Sequence, residues 1–530
     1  MSTASEVAVD LTYDNVMQLL LPICMIIACL PIAWPGPPLG LGPTGSAVMT
    51  AVVVVALLFV ARTIARSTVV RSALEPENHA ATARSYGRRR YAFVFLNLGA
   101  MWFVLLACGW GWAVRESLSF HQYVQFEDEP VDHPFLLPGA EFVVLAPYLI
   151  TMIGSWAIFF DAERVLQVTG SGTNTDRREF WTRRGYVGFL LRQNLLVLFL
   201  PVLLTIIQLS VLRVFPDLLT NVWAKAGGFA AGFAFILLVP TLVPFLLGLQ
   251  PMPAGALRNR LEAAAKRIGV RYRDLYVWDT RGHIATAMVT GLIPRLRPIV
   301  FTDLLIRKLK DDEIEAVFGH EVGHVRHGHL LYYLVFLLLS FLTLGAAYRA
   351  VELSGGISWL SEGTALVLSV LVAGCYLFVF FGFISRRCER QADVFGCKTV
   401  SCVDPACANH EPTTAFVHRS RSLCRTGIDT FVRALATVEE VNGSGDKDSS
   451  DRGTSSRAAG LVRFVGVWLS TWQHGTIAKR IEFLKTLDER TERRFQLRVT
   501  MVRWAAVILL LAGIVAVSLW SGWQTVIEGA

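Results

Sequence analysis

The sequence predicts an α-helical polytopic membrane protein, with about nine transmembrane helices and a small α+β domain on its cytoplasmic face. Three observations predict it. Hydrophobic residues make up 53% of the 530 and charged residues only 17%, against about 25% charged in soluble globular chains. Apolar residues gather in runs of about 20, the length at which a helix crosses the hydrocarbon core. Between the later runs lie polar stretches long enough to fold, and one carries four histidines and a glutamate within HEVGHVRHGH, His320–His329.

Taken in order, the apolar runs lie near Val16–Trp34, Ala47–Arg66, Tyr91–Ala113, Glu141–Phe160, Val187–Leu212 and Val222–Leu249. Two more follow near Leu330–Tyr348 and Ile357–Ile384, and a last one near Met501–Trp520. The leader MSTASEVAVDLTYDN is acidic, whereas a cleaved signal peptide begins with a positive region. The loop after the second run holds Arg62, Arg66, Arg71, Arg84 and Arg88–Arg90, and that after the fourth holds Arg164, Arg177, Arg178, Arg183 and Arg184. The alternate loops are poor in Lys and Arg, so the positive-inside bias puts the basic loops and the N-terminus in the cytoplasm. The net charge of +8 reflects this bias. Basic patches interleaved with aromatics are absent, and no nucleic-acid partner is expected.

This organisation divides the chain into a membrane region over 1–249, a cytoplasmic segment over 250–329, a membrane hairpin over 330–384, a second cytoplasmic segment over 385–498 and a final membrane helix over 499–530. The two cytoplasmic segments flank the hairpin and can fold together as one domain. LRNRLEAAAKRIGV reads as an amphipathic helix, YRDLYVWD and RPIVFTDLLI as strands, and DDEIEAVFGHEVGHVRHGH as a helix opened by Asp312 and Glu315 in a capping-box-like pair. Residues 441–460, rich in Ser, Gly and Asp, read as a disordered linker or loop. Of nine cysteines, Cys388, Cys397, Cys402, Cys407 and Cys424 lie in the second cytoplasmic segment, where a reducing compartment disfavours disulfides. Cys397, Cys402 and Cys407, near His410 and His418, could hold a second, structural zinc. Their spacing is looser than a C-x-x-C knuckle, so reduced thiols in an insert are the preferred reading.

His320, Glu321 and His324 form H-E-x-x-H. On a helix, residues four apart share a face. Two imidazoles can then bind one zinc while the glutamate beside the first reaches the metal's open position. Glu321 would accept a proton from the zinc-bound water and deliver it to a leaving amine. A helix with surface histidines is the plain alternative, and a third ligand decides against it. The metzincin pattern H-E-x-x-H-x-x-G-x-x-H is excluded, because His327 and Leu330 occupy the Gly and last His positions. The third ligand is read as Glu389 in SRRCERQADVFG, where the eighth run returns to the cytoplasm; an ordinary charged juxtamembrane helix is the alternative there. Asp393, four residues on, can orient a zinc-bound imidazole. Since two ligands already lie on the first helix, His327 and His329 are not assigned to the metal. His329 is placed as a brace of the site or at the headgroup boundary.

HEVGHVRHGH, two apolar runs and then SRRCERQAD resemble the membrane gluzincin metallopeptidases, the group of the CAAX prenyl proteases and the HtpX-like proteases. The likeness covers roughly Leu257–Leu487. TAMVTG resembles the N-A-F-x-x-G edge strand that lies beside bound peptide, which implies Thr286, Ala287, Met288 and Gly291 as the substrate edge. HGTIAKRIEFL resembles H-P-x-x-x-x-R-I-x-x-L, which implies His474 and Arg480 as active-site supports, with oxyanion stabilisation among the roles open to them. Thr286 stands where the family has Asn, and Gly475 where it has Pro. The resemblance implies a zincin-type domain with one catalytic zinc on His320, His324 and Glu389 and with Glu321 as general base. The implied activity is a zinc endopeptidase acting on membrane-associated proteins or peptides at the cytoplasmic face, in the inner or plasma membrane. CAAX-type processing and HtpX-like quality control both fit. A metal transporter or sensor is a competing class, weakened because no other run carries a His/Asp/Glu ladder. No oligomeric state follows from the sequence.

Overall fold

Long apolar helices dominate the chain, as the composition requires. The computed structural model describes residues 39–126, 129–170, 180–194, 200–215, 222–354, 362–401, 423–442 and 474–528. The chain divides into two compact units, residues 1–249 with 442–444, and residues 250–441 with 445–530.

The first unit holds α1 (Pro43–Leu74), α2 (His79–Leu106), α3 (Trp110–Leu118), an antiparallel hairpin of β1 (Ser119–Phe126) and β2 (Glu129–Leu136), then α4 (Ala140–Gly170), α5 (Arg183–Asn194), α6 (Leu200–Val214) and α7 (Val222–Leu247). Its helices meet through small residues and rings. Ala61 and Ala65 of α1, Tyr86 and Phe93 of α2, and Phe159 and Ala162 of α4 form one buried cluster, with Phe93 and Phe159 edge to face at 5.4 Å. Val55 and Phe59 of α1 are about two-thirds exposed, at 66% and 68%. That suits lipid rather than water as the surrounding solvent.

The second unit begins with β3 (Gln250–Pro251) and α8 (Ala256–Ile268), followed by β4 (Asp274–Trp278), β5 (Ala287–Val289), β6 (Pro298–Thr302) and α9 (Asp303–Lys308). The sheet order is β3-β4-β6-β5, with β4 and β6 parallel and both outer strands antiparallel to their neighbours. β6 is buried at all five positions. Ile299 and Phe301 pack with Leu261 of α8 and with Phe318 and Val322 of the next helix. α8 ends on Gly269, whose φ of 69° supplies the left-handed cap. The stretch RPIVFTDLLI is a strand only to Thr302 and then turns helical. The cause is local: Asp303 in the first turn accepts from the Thr280 N–H at 2.9 Å and pairs with Arg307 one turn on.

α10 (Asp311–Arg326) carries the histidines. It starts with Lys310 at the N-cap rather than at Asp312. The Glu313 carboxylate accepts from the Lys310 N–H at 3.0 Å, and Glu315, expected in that role, is paired with Arg260 and Arg267 instead. Gly328, at φ 64°, ends the helix. Arg503 donates to the His327 carbonyl at 2.9 Å there. α11 (His329–Leu353) and α12 (Glu362–Thr399) follow, then α13 (Arg425–Val441), α14 (Ile477–Lys485) and α15 (Glu489–Glu528). α12 runs without a break from its apolar part to Glu389 and Asp393.

Among the described residues five helices are long and apolar enough to cross a membrane, or six if the bent pair Ala226–Phe235 and Leu237–Leu247 counts as one span. The expected run near Val16–Trp34 lies outside the described residues, as do parts of those near Val187–Leu212 and Ile357–Ile384. The linker expected over 441–460 also lies outside, save for its first two residues.

α10 and α12 approach closely through glycines. A Cβ on Gly396 would stand 2.9 Å from the Ala316 carbonyl oxygen, and one on Gly323 would stand 3.0 Å from the Ala392 Cα. Backbone atoms cannot rotate away. Gly396→Ala is therefore expected to force the two helices apart and to cost about 1–3 kcal/mol, the usual scale of overpacking. Denaturant unfolding in detergent measures it; a variant as stable as the parent would show that the helix contact is looser than this.

Candidate metal centre

One turn of α10 stacks His320 above His324, and their Nε2 atoms lie 3.3 Å apart. Glu389 of α12 faces both, with Oε2 3.7 Å from His320 Nε2 and Oε1 3.5 Å from His324 Nε2. One donor atom from each residue falls within 4.8 Å of the others. Glu389 is only 3% exposed, yet its Oε2 has no hydrogen-bond partner. An unsatisfied buried carboxylate oxygen is costly, and a cation between the three groups removes that cost. The donor chemistry fits zinc: two nitrogens about 2.0–2.1 Å from one tetrahedral ion would sit roughly 3.3 Å apart.

Each of these candidate ligands is held from behind. His320 Nδ1 stands 2.9 Å from Asp393 Oδ1, and the His320 ring stacks on Phe431 at 5.8 Å. Asp393 is fully buried and is gripped by Arg480, whose Nε donates to Oδ2 at 2.9 Å and whose second nitrogen reaches Oδ1. His474 Nδ1 lies 3.0 Å from Glu389 Oε1. Burial would raise the Glu389 carboxyl, but His474, His324 and His320 together outweigh it and hold the group well below the usual range. Asp393 is likewise lowered, burial notwithstanding, by Arg480. Burial pushes His324 down to about 4, which leaves a neutral imidazole at physiological pH. His320 is buried too, but Asp393 overrides that effect and its pKa is raised.

Glu321, beside His320, is pushed up to about 7 by burial. Its Oε2 accepts from the Val289 N–H at 3.1 Å. β5 therefore touches the site directly. It lies at the sheet edge, and backbone bonds from the Thr302 N–H to the Thr286 carbonyl and from the Thr290 N–H to the Pro298 carbonyl turn alternate residues toward β6. Ala287 and Val289 consequently present their backbone polar groups to the other side. Thr286 precedes β5 and donates its N–H to Thr302 Oγ1 at 3.0 Å. Met288 pairs with Val300. Gly291, at φ 95°, offers its carbonyl to Arg297 Nε at 3.0 Å.

Arg480 is placed on Asp393, not free beside Glu321; its nearest approach to Glu389 is 3.8 Å. His327 lies outside this group of three donors. His329 touches it only from behind, through a 3.0 Å contact with His324 Nδ1. Cys397 is fully buried, while Cys402 and Cys407 lie outside the described residues. Sequence reading did not find the Val289 contact or the partners of His329. A backbone N–H leaves no mark in a sequence, and Gln391 looks like any polar helix residue.

A buried His₂Glu set with a glutamate at its side is the donor arrangement of H-E-x-x-H zinc peptidases, and here it sits on an α+β domain joined to apolar helices. Residues 251–486, somewhat under half of the chain, match the model of Peptidase family M48. The chain is similar to the CAAX prenyl protease 1 homolog of Arabidopsis thaliana, 30% identical over 196 residues that cover 34% of this chain and 46% of that protein. It is similar to CAAX prenyl protease 1 of Saccharomyces cerevisiae, 28% identical over 223 residues covering 37% and 45%. It is also similar to a Protease HtpX homolog of Thermoplasma acidophilum, 29% identical over 167 residues covering 30% and 52%. The chain thus spans about half the length of the curated relatives it matches. The crystal structure of S. mikatae Ste24p aligns with a TM-score of 0.43 and 14% identity, over 85% of this chain and 100% of that one.

Proposed function

We propose that this protein is a membrane-embedded zinc endopeptidase, with His320, His324 and Glu389 holding the metal and Glu321 acting as general base. The observation that carries the reading is the convergence of three buried donors on one point, with Glu389 Oε2 unsatisfied and Glu321 alongside. Zinc, when bound, acidifies a water and polarises a carbonyl. Glu321 takes the proton of the attacking water as its oxygen joins the carbonyl carbon, and passes it to the amine as the C–N bond breaks. β5 offers Ala287 and Val289 as an edge on which an extended peptide can add a strand. Asp393 and Arg480 keep His320 in place, and His474 steadies Glu389.

The substrate class is a membrane-associated protein or peptide reached from the cytoplasmic side, which the Lys/Arg distribution of the loops supports. The relatives divide between CAAX prenyl proteases and HtpX proteases. The two outcomes separate in assay: cleavage of a prenylated C-terminal peptide supports the first, and cleavage of unfolded membrane protein without it supports the second. The reading itself is tested in proteoliposomes. One zinc per chain is expected, with peptide cleavage that a chelator abolishes and added zinc restores. Zinc flux across the vesicle without cleavage would replace it with transport.

The pH profile follows from Glu321. It works as a base only when ionised, and burial raises it to about 7. kcat/KM is therefore expected to fall as pH drops through this group. A cation beside Glu321 favours the carboxylate, so the limb in the zinc-loaded enzyme lies below about 7. An activity that stays flat down to pH 4 would remove Glu321 from the role.

A further inference from the structure

His324 faces the metal position with Nε2, so its Nδ1 points backward. That nitrogen lies 3.0 Å from His329 Nδ1. The other ring nitrogen of His329 lies 3.0 Å from Gln391 Oε1, and Gln391 Nε2 donates to Gln496 Oε1 on α15. His329 is fully buried and Gln391 is 2% exposed, so these groups depend on one another for hydrogen bonds.

The polarity of this chain of contacts is determined link by link. An amide oxygen only accepts. With the Gln391 NH₂ engaged by Gln496, its oxygen faces His329, and His329 must carry its proton on Nε2. A neutral His329 then has a bare Nδ1, which accepts from the Nδ1–H of His324. That leaves the His324 Nε2 lone pair free to coordinate. Turning the Gln391 amide over would reverse every link and place a proton on His324 Nε2, where a metal must bind. The arrangement behind His320 differs, because an anionic Asp393 accepts from Nδ1 in only one sense.

Resting on the metal-site reading above, we propose that Gln391, held by Gln496 of the apolar C-terminal helix, is a positioning residue that sets the coordinating tautomer of His324 through His329. The orientation of one buried amide thereby links α15 to a metal ligand.

The test uses the full-length protein in detergent, with Zn²⁺ affinity from competition with a chromophoric chelator and ligand geometry from the visible spectrum of the Co²⁺ form. Gln391→Leu is expected to weaken zinc binding about 10–100-fold, the range found for lost partners of ligating histidines, and to alter the Co²⁺ spectrum. Gln391→Glu keeps an acceptor toward His329 and is expected to stay within a few-fold of the parent. Gln391→Leu and Gln391→Glu weakening binding equally, or neither doing so, overturns the proposal. Should Gln391→Leu not fold, Gln496→Leu at a half-buried position serves instead: weaker zinc binding with a changed Co²⁺ spectrum supports the relay, and parent-like values overturn it. A parent that binds no stoichiometric zinc overturns the site reading and the relay with it. A parent that binds zinc while the variants match it overturns the relay alone.

Discussion

Glu321→Gln is expected to keep the fold and one zinc per chain while kcat/KM falls about 10²–10⁴-fold, the range for losing a positioned general base. The substitution is isosteric. Its amide oxygen can still accept the Val289 N–H that now meets Oε2 at 3.1 Å, so β5 should not move. What is lost is a group able to take up a proton near neutral pH, which burial has prepared by raising Glu321 to about 7. Metal analysis and a cleavage assay on the same preparation decide the matter. Undiminished turnover with zinc present would refute the assignment, and loss of zinc with loss of activity would move Glu321 to a structural role. The inactive zinc-loaded variant is also suited to trapping natural substrates in native membranes.

Arg480→Met is expected to destabilise the second unit by about 3–5 kcal/mol, the cost of stripping one partner from a buried charge pair. Arg480 is buried against Asp393, itself 0% exposed, and also lies 3.8 Å from Glu389. Without the guanidinium both carboxylates lose a nearby positive charge, and Asp393 no longer has a fixed orientation toward His320. Zinc affinity should fall together with stability. Arg480→Lys should rescue only part, because a point charge cannot reproduce the two-pronged grip on Asp393. In the double variant with Asp393→Asn the stability loss should be smaller than in Arg480→Met alone, since no buried carboxylate is stranded there. A parent-like melting midpoint for Arg480→Met, with kcat alone reduced, would instead support a direct role on the substrate oxyanion.

Much of the site's local geometry is readable from spacing. His320 and His324 share a face because the helix repeats every 3.6 residues, and Glu389 shares a face with Asp393 for the same reason. β4 and β6 stand out as short β-branched and aromatic runs bounded by turns. Where reading by pattern went astray, a neighbour distant in sequence had changed the outcome. Asp303 opens a helix inside what reads as a strand because Thr280 supplies its partners. Glu315 looks like a cap but is claimed by Arg260 and Arg267. The β1–β2 hairpin lies in a loop whose scarcity of Lys and Arg speaks to topology and not to strands.

The sequence by itself determined the apolar runs, the two histidines of one helix turn and the glutamate beside them, because each is a property of residues within a few positions of one another. Only the tertiary structure decided that Glu389 meets those histidines across the α10–α12 contact, that the Val289 backbone reaches Glu321, and that His324 is backed through His329 and Gln391 by the C-terminal helix. Apart from that between His324 and His329, those contacts join residues tens to more than a hundred positions apart. They depend on how closely glycine-faced helices approach and on which buried donor finds which acceptor, and a local pattern carries neither.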